Sequence, residues 1–271
     1  MTSAQAPQRL AIQVLGDFRV SVGLRAIDER EWTSRRARSL VKLLALAPHH
    51  HLHREQIMER LWPDVDRGHS ANNLHKALYV ARRILEPDLP PRHASSYLHL
   101  RHDMLVLDAP GGLWIDVEAF VAAARAAHEL CTPQAYREAL QLYTGDLVPE
   151  DHYEDWAIGY REWLSGLRVT LLIRLAGVQE QTGDVTAAID TLQQVVAGDP
   201  LHEEAQGLLM RLLVQTGRRH LALRHYQALR AALQRELDVE PDASLQALYH
   251  DIRSGHPAGH PAHPLMLHAH D

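Results

Sequence analysis

The hydrophobic period changes twice within the first 110 residues, and that order limits the fold more than any single motif does. Leu10, Ile12 and Val14 alternate, as do Phe18, Val20 and Val22, with Gly16-Asp17 between them. The chain therefore opens on a predicted hairpin, with a further short strand from Leu24 to Ile27. Thr33-Ser34 then offers a helix cap, and Ala37, Leu40, Leu44 and Ala47 follow at helical spacing until Pro48. His49-His50-His51-Leu52 reads as a connector. A second helix runs from about Arg54 to Leu61, with Ile57, Met58 and Leu61 inward and Pro63 beyond its end. Trp62 to His69 reads as a polar loop. Ser70 is placed to cap a third helix reaching Leu85, whose apolar stripe is Leu74, Leu78, Ala81 and Leu85. Alternation returns at 97–100 and 105–107, around a polar turn at Arg101-His102-Asp103. Strands, three helices and a hairpin in that order predict a winged helix-turn-helix.

From Asp116 the pattern is helical throughout. Asp116 is placed to cap a helix carrying Val117, Phe120, Val121 and Ala124, and Thr132-Pro133 opens another that reaches Tyr143. A long helix spans about Asp155 to Gln181, and shorter ones follow near 185–197, 202–215, 219–236 and 244–253. Thr182-Gly183 recurs as Thr216-Gly217, Ala188 as Ala222 and Leu192 as Tyr226, each 34 residues on, which is the period of tetratricopeptide repeats. The predicted fold class is an α+β winged helix-turn-helix followed by an all-α, tetratricopeptide-like repeat domain. The boundaries read from the sequence are a disordered start at 1–8, a winged helix at 9–110, a helical domain at 113–254 and a disordered His/Pro-rich tail at 255–271.

Composition narrows the function classes. A single cysteine, Cys131, cannot form an internal disulfide, no apolar run approaches the ~20 residues of a membrane helix, and the first residues lack a signal peptide's pattern. A cytoplasmic protein with no membrane partner is expected. The net charge of −6 divides unevenly: residues 1–110 carry 16 basic and 12 acidic side chains, residues 111–271 carry 12 and 22. A positive front suits a polyanion, and the acidic back does not.

The third helix carries the sharpest signal. With its leucines buried, the opposite face presents Asn72, Asn73, His75, Lys76, Tyr79, Arg82 and Arg83. Asn pairs bidentately with adenine, and Arg or Lys with guanine, so this face reads as a recognition helix for double-stranded DNA. A merely solvated charged face would look the same outside the winged context. Arg35, Arg36 and Arg38 crowd the first turn of the first helix, where cations oppose the helix dipole; a bound phosphate would remove that conflict. Arg101 and His102 at the hairpin tip are placed to reach the adjacent minor groove or its phosphates. His49, His50, His51 and His53, and the histidines of the tail, come without the cysteine or carboxylate partners of a metal site, so no metal and no cofactor are expected. The acidic run Glu150, Asp151, His152, Glu154, Asp155 reads as a solvated turn before a helix. No Walker loop or nucleophile elbow is present, and no catalytic residue is assigned.

Three sets of residues carry a family resemblance. They are Trp32-Thr-Ser-Arg-Arg-Ala-Arg-Ser-Leu40, Leu52-His-Arg-Glu-Gln-Ile-Met-Glu-Arg-Leu-Trp-Pro-Asp64 with Ala71-Asn-Asn-Leu-His-Lys-Ala-Leu78, and a set in the back half. The last comprises Tyr143-Thr-Gly-Asp-Leu147, Tyr153-Glu-Asp-Trp156, Asp199-Pro-Leu-His-Glu-Glu204 and Glu236-Leu-Asp-Val-Glu-Pro241. Over residues 9–253 the chain resembles regulators of the SARP type (Streptomyces antibiotic regulatory proteins), an OmpR-like winged helix joined to a bacterial transcriptional activator domain. The resemblance implies a sequence-specific activator that binds direct repeats near promoters as side-by-side protomers, a homodimer on DNA. It also implies contact with RNA polymerase and its sigma factor, with the loop residues Asp64, Val65, Asp66 and Arg67 facing polymerase. Where the family often has Gly, this chain has Asp238, which tolerates left-handed backbone. Receiver, ATPase and forkhead-associated modules are absent from the sequence, so control by direct phosphorylation is not expected. Two rivals remain at this level. One is a tetratricopeptide-like interaction scaffold, or a signalling fragment of a larger regulator; the other is a metal-dependent enzyme resting on histidine count alone.

Overall fold

The computed structural model describes residues 8–90 and 92–255. The expected disordered start and the histidine-rich tail fall almost wholly outside the described residues. The chain forms two compact units, Met1–Arg168 and Val169–Asp271.

The first unit begins with strands β1 (Leu10–Gln13), β2 (Arg19–Val22) and β3 (Arg25–Ile27), joined as an antiparallel meander. Helix α1 (Arg35–Leu46) follows, capped by the Ser34 hydroxyl, which accepts the Ala37 amide. Then come β4 (His51–His53), α2 (Arg54–Leu61) and α3 (Arg67–Leu85), the hairpin β5 (Leu98–Arg101) and β6 (Met104–Leu107), and β7 (Leu113–Ile115). Two strands escaped the periodicity. His51 and Leu52, read as part of a connector, form β4 with His53 and pair with β6, giving a three-stranded wing sheet in the order β4-β6-β5. β7 pairs in parallel with β1 and completes a four-stranded sheet, β3-β2-β1-β7. Three residues are too few for a period to register, so only their tertiary partners define these strands. Nearly every apolar side chain of α1 is buried, and Leu74, Leu78, Ala81 and Leu85 of α3 face inward as expected.

One boundary moves. The cap of α3 is Asp66, not Ser70: its carboxylate accepts the amides of Gly68 and His69, and Ser70 lies buried in the first turn. An anionic side chain suits a helix N-terminus better than a hydroxyl does. The His69 amide and imidazole hold the Asp66 carboxyl below its ordinary range. The polar loop therefore shortens to residues 62–66.

Helix α4 (Asp116–Leu130) departs from the sequence reading in a similar way. Asp116 is the first helical residue, and the cap position falls to Ile115. Its buried carboxylate accepts the backbone N–H groups of Val14 and Leu15 at 2.8–3.0 Å and of Val117 at 2.8 Å, closing the end of β1. Burial pushes the Asp116 carboxyl up to about 6, against the pull of those amides. The native state therefore takes up this proton first as pH falls. The group's contribution to stability is full below about pH 4 and is lost as pH rises through 6, on the order of 3 kcal/mol in all. A carbon-13 NMR titration should show the Asp116 carboxyl changing state near pH 6; a midpoint near 4 would refute this reading.

After α5 (Pro133–Gln141), capped by Thr132, the stretch 143–148 returns to the end of β1. Gly16 N–H donates to Asp146 O at 2.9 Å, Val148 N–H to Val14 O at 2.8 Å, and the Thr144 hydroxyl to Leu15 O at 2.6 Å. Gly16 adopts φ +75°, and a Cβ on Gly145 would lie 2.9 Å from the Gly16 Cα, closer than real contacts allow. Gly145→Ala is expected to lose roughly 1–3 kcal/mol through this backbone-to-backbone clash, read as a lower denaturation midpoint. An unchanged midpoint would mean that the approach is soft. Helix α6 (Asp155–Gln181) then crosses from the first unit to the second.

The second unit is helical: α7 (Val185–Gly198), α8 (Glu203–Gln215), α9 (Arg219–Leu237) and α10 (Ala243–Ser254). The 34-residue repeat is physical. Asp184 N–H donates to Gln179 O as Arg218 N–H does to Leu213 O, across left-handed Gly183 and Gly217. Ala188 and Ala222 are both fully buried where neighbouring helices pack. Asp238 takes the left-handed conformation at the end of α9. Among the described residues no helix is long and apolar enough to cross a membrane.

Candidate nucleic-acid interface

The exposed stripe of α3 holds Asn72, His75, Lys76 and Tyr79, with Asn73 half-buried at its edge. None of these five side chains makes a hydrogen bond or ion pair within the described residues, and Tyr79 is 67% exposed. A helix face that leaves amides, an ammonium and a phenol unpaired offers donors and acceptors to an external partner. Arg83 also points outward, its guanidinium donating to Leu89 O at 2.9 Å.

Arg82 belongs elsewhere. Its Nε donates to Leu98 O at 3.0 Å, and burial lowers its pKa. It pins the wing to α3 and is not part of the open stripe. The seven-residue face read from the sequence thus reduces to six. Helical spacing could not separate Arg82 from Arg83, because the distinction depends on which edge of the helix the hairpin covers.

At the wing tip Arg101 and His102 are exposed, and His102 is left-handed at φ 57°. The tip is fastened to α2. Arg54 N–H donates to Asp103 O at 2.8 Å, and the Arg54 guanidinium lies 3.3 Å from the Asp103 carboxylate. Sequence reasoning passed over Arg54. The signal available was its position as the first residue of a helix, beside the turn that the hairpin would present. In the loop, Asp64 and Val65 are exposed; Asp66 is the cap, and Arg67 opens α3 with its guanidinium 3.7 Å from Glu55.

The arginines of α1 find their anions within the chain. Arg35 and Arg36 each lie 3.2 Å from the Glu154 carboxylate, Arg35 is 3.8 Å from Asp151, and Arg38 is 2.8 Å from Glu29. Below them Lys42 is fully buried, 2.6 Å from both Glu150 and Asp151, with its ammonium 4.8 Å from the Phe18 ring centre. Asp151 is 4% exposed at its side chain and Glu154 13%. The acidic run is therefore only in part the solvated turn that its composition suggested: Asp151 and Glu154 are paired and largely covered, while His152 and Asp155 are exposed. It supplies the negative charge that the N-terminus of α1 lacks, and a phosphate is not needed to relieve the dipole conflict. Only the pairing across 119 residues of chain could reveal this.

The His49 and His51 rings stack 5.9 Å apart, and His50 Nε2 lies 3.2 Å from Glu118. Among the described residues no group of three His, Cys, Asp or Glu could hold a metal ion. Cys131 is exposed and left-handed at the end of α4.

Comparison with known proteins adds four findings. The family model described as the bacterial transcriptional activator domain matches residues 115–253. Regulatory protein DnrI of Streptomyces peucetius is 27% identical over 236 residues, 83% of this chain and 86% of DnrI. Transcriptional regulator RedD of Streptomyces coelicolor is 26% identical over 227 residues, 82% of this chain and 65% of RedD. The solved structure of Mycobacterium tuberculosis EmbR in complex with a low affinity phosphopeptide matches with a TM-score of 0.77 at 18% identity, covering 93% of this chain and 67% of that one. At that identity the likeness speaks for the fold: a winged helix followed by a helical domain.

Proposed function

The chain belongs to the bacterial transcriptional activator domain family and is a transcriptional regulator of the SARP type, a premise from which we propose how it engages its promoter. Helix α3 enters the major groove, with Asn72, Asn73, His75, Lys76, Tyr79 and Arg83 at base edges and phosphates. Arg101 and His102 of the wing, with Arg54 at the start of α2, meet the adjacent backbone. Arg35, exposed despite its partners, adds to the positive field from α1. The observation that carries this reading is the contrast on α3. Among the described residues its outward amides, ammonium and phenol are unpaired, while Arg82 beside them is tied down.

One winged helix reads few base pairs, so selectivity requires repetition: two protomers lie side by side on direct repeats. Residues 64–67 face RNA polymerase at its sigma factor, and the acidic helical domain meets protein rather than DNA. The protein acts in the cytoplasm, with its promoter. Mobility shifts on promoter fragments test this proposal. Two tandem sites about one or two turns apart, ~10 or ~20 bp, are expected. Equal affinity for any duplex would refute it.

A further inference from the structure

The hairpin-side edge of α3 holds a feature that the polar stripe does not explain. A shallow depression, with room for about one methyl group, lies between α2, α3 and the hairpin. Leu74, Leu78, Leu100 and Leu105 line it, with Ala71, His75 and Arg54 among the residues around them. Side chains alternate along β5, so Leu100 points to the same side as the fully buried Leu98; yet Leu100 remains 40% exposed. Arg82, bonded to Leu98 O, and Arg54, paired with Asp103, tie α3 and α2 to the hairpin around the depression. Through His75 the depression adjoins the polar stripe of α3.

We propose that this depression receives the C5-methyl group of a thymine in the bound duplex, so that Leu100, Ala71 and His75 select thymine at one position of each half-site. This rests on the DNA-binding reading above. Among the groups that bases present in the major groove, the thymine methyl is the apolar one. A base amino or carbonyl group set against these leucines would lose its hydrogen bonds to water without replacement. The Arg54 guanidinium at the rim supplies a cation for the neighbouring phosphate, as a nucleotide seated here would require. The rival occupant is a deoxyribose, which every nucleotide carries and which would give no base preference.

Uracil lacks only this methyl group, and it provides the test. High-affinity duplexes are first selected from a random pool with the full chain, and each thymine is then replaced singly by uracil. Burial of one carbon at the usual hydrophobic increment corresponds to about fourfold in affinity. One thymine per half-site is expected to show that loss. Leu100→Thr should abolish the thymine–uracil difference at that position alone. Ala71→Ser, on the helix side, should diminish it independently of the hairpin. Insensitivity at every thymine, or a difference that survives in both variants, overturns the proposal while leaving DNA recognition intact. A pool that yields no selective binding removes the parent reading and this one together.

Discussion

Asp151→Ala is expected to destabilise the protein by about 3 kcal/mol or more, although Asp151 is paired with none of the α3 side chains proposed to meet DNA. Lys42 is fully buried and has two carboxylate partners, Glu150 and Asp151, both at 2.6 Å. Removing Asp151 leaves a buried ammonium with the partly exposed Glu150 alone, and it also takes a carboxylate from Arg35. The large figure reflects desolvation of the stranded charge rather than the strength of the original pair. Lys42→Met alone should also be costly, because it strands the buried Asp151 carboxylate with only the exposed Arg35 at 3.8 Å. The double variant Lys42→Met with Asp151→Ala should be more stable than Asp151→Ala by itself. Chemical denaturation of the four proteins closes the cycle. An Asp151→Ala midpoint equal to wild type would mean that water reaches Lys42 and that the cluster is not a buried network.

The second large effect is on binding. Replacing Asn73, Lys76 and Arg83 together by Ala is expected to reduce selective promoter affinity by roughly a hundredfold or more. Each good bidentate pairing with a base is worth about 1–3 kcal/mol of discrimination. Alanine favours the helix, and the three side chains lie outside the buried stripe, so far-UV circular dichroism should not change. Salt titration separates the roles within the triple. For each phosphate no longer neutralised, the slope of log K against log salt should shrink by ~0.9, whereas removal of a base-reading side chain lowers affinity at all salt concentrations. Retention of promoter selectivity by the folded triple variant would move the recognition surface off α3.

Much of the architecture was legible because it rests on periods long enough to register. The stripe of α3 from Leu74 to Leu85 extends over about three turns, and the 34-residue echo repeats whole helical hairpins, down to matching carbonyl partners at Gln179 and Leu213. Short pieces were not legible. β4 and β7 are three residues each, and neither is a strand without β6 or β1 beside it. The cap of α3 was misplaced by one turn because Asp66 and Ser70 are both good caps. The choice between them depends on burial of Ser70 in the packed first turn.

The candidate site divides along the same line. Which side chains of α3 could face outward follows from the leucines, so the sequence placed Asn72, Asn73, His75, Lys76, Tyr79 and Arg83 on the open stripe. That Arg82 is absent from it required the position of Leu98 O. The first arginines of α1 and the acidic run at 150–154 were each visible as charge clusters, one read as seeking phosphate and the other as seeking water. Their pairing joins segments more than a hundred residues apart, and local composition holds no record of such a distance.

By itself the sequence determined the order of elements, the inward face of each helix, the repeat and the family, because hydrophobic period and turn chemistry act over a few residues at a time. The tertiary structure alone decided the partners of the charges, the strands too short to have a period, and the fusion of β7 and the stretch 143–151 onto β1 and α1. Each of these depends on desolvation and hydrogen bonding between distant segments, and a buried lysine or an unclosed strand end is satisfied only by whatever the folded chain brings to it.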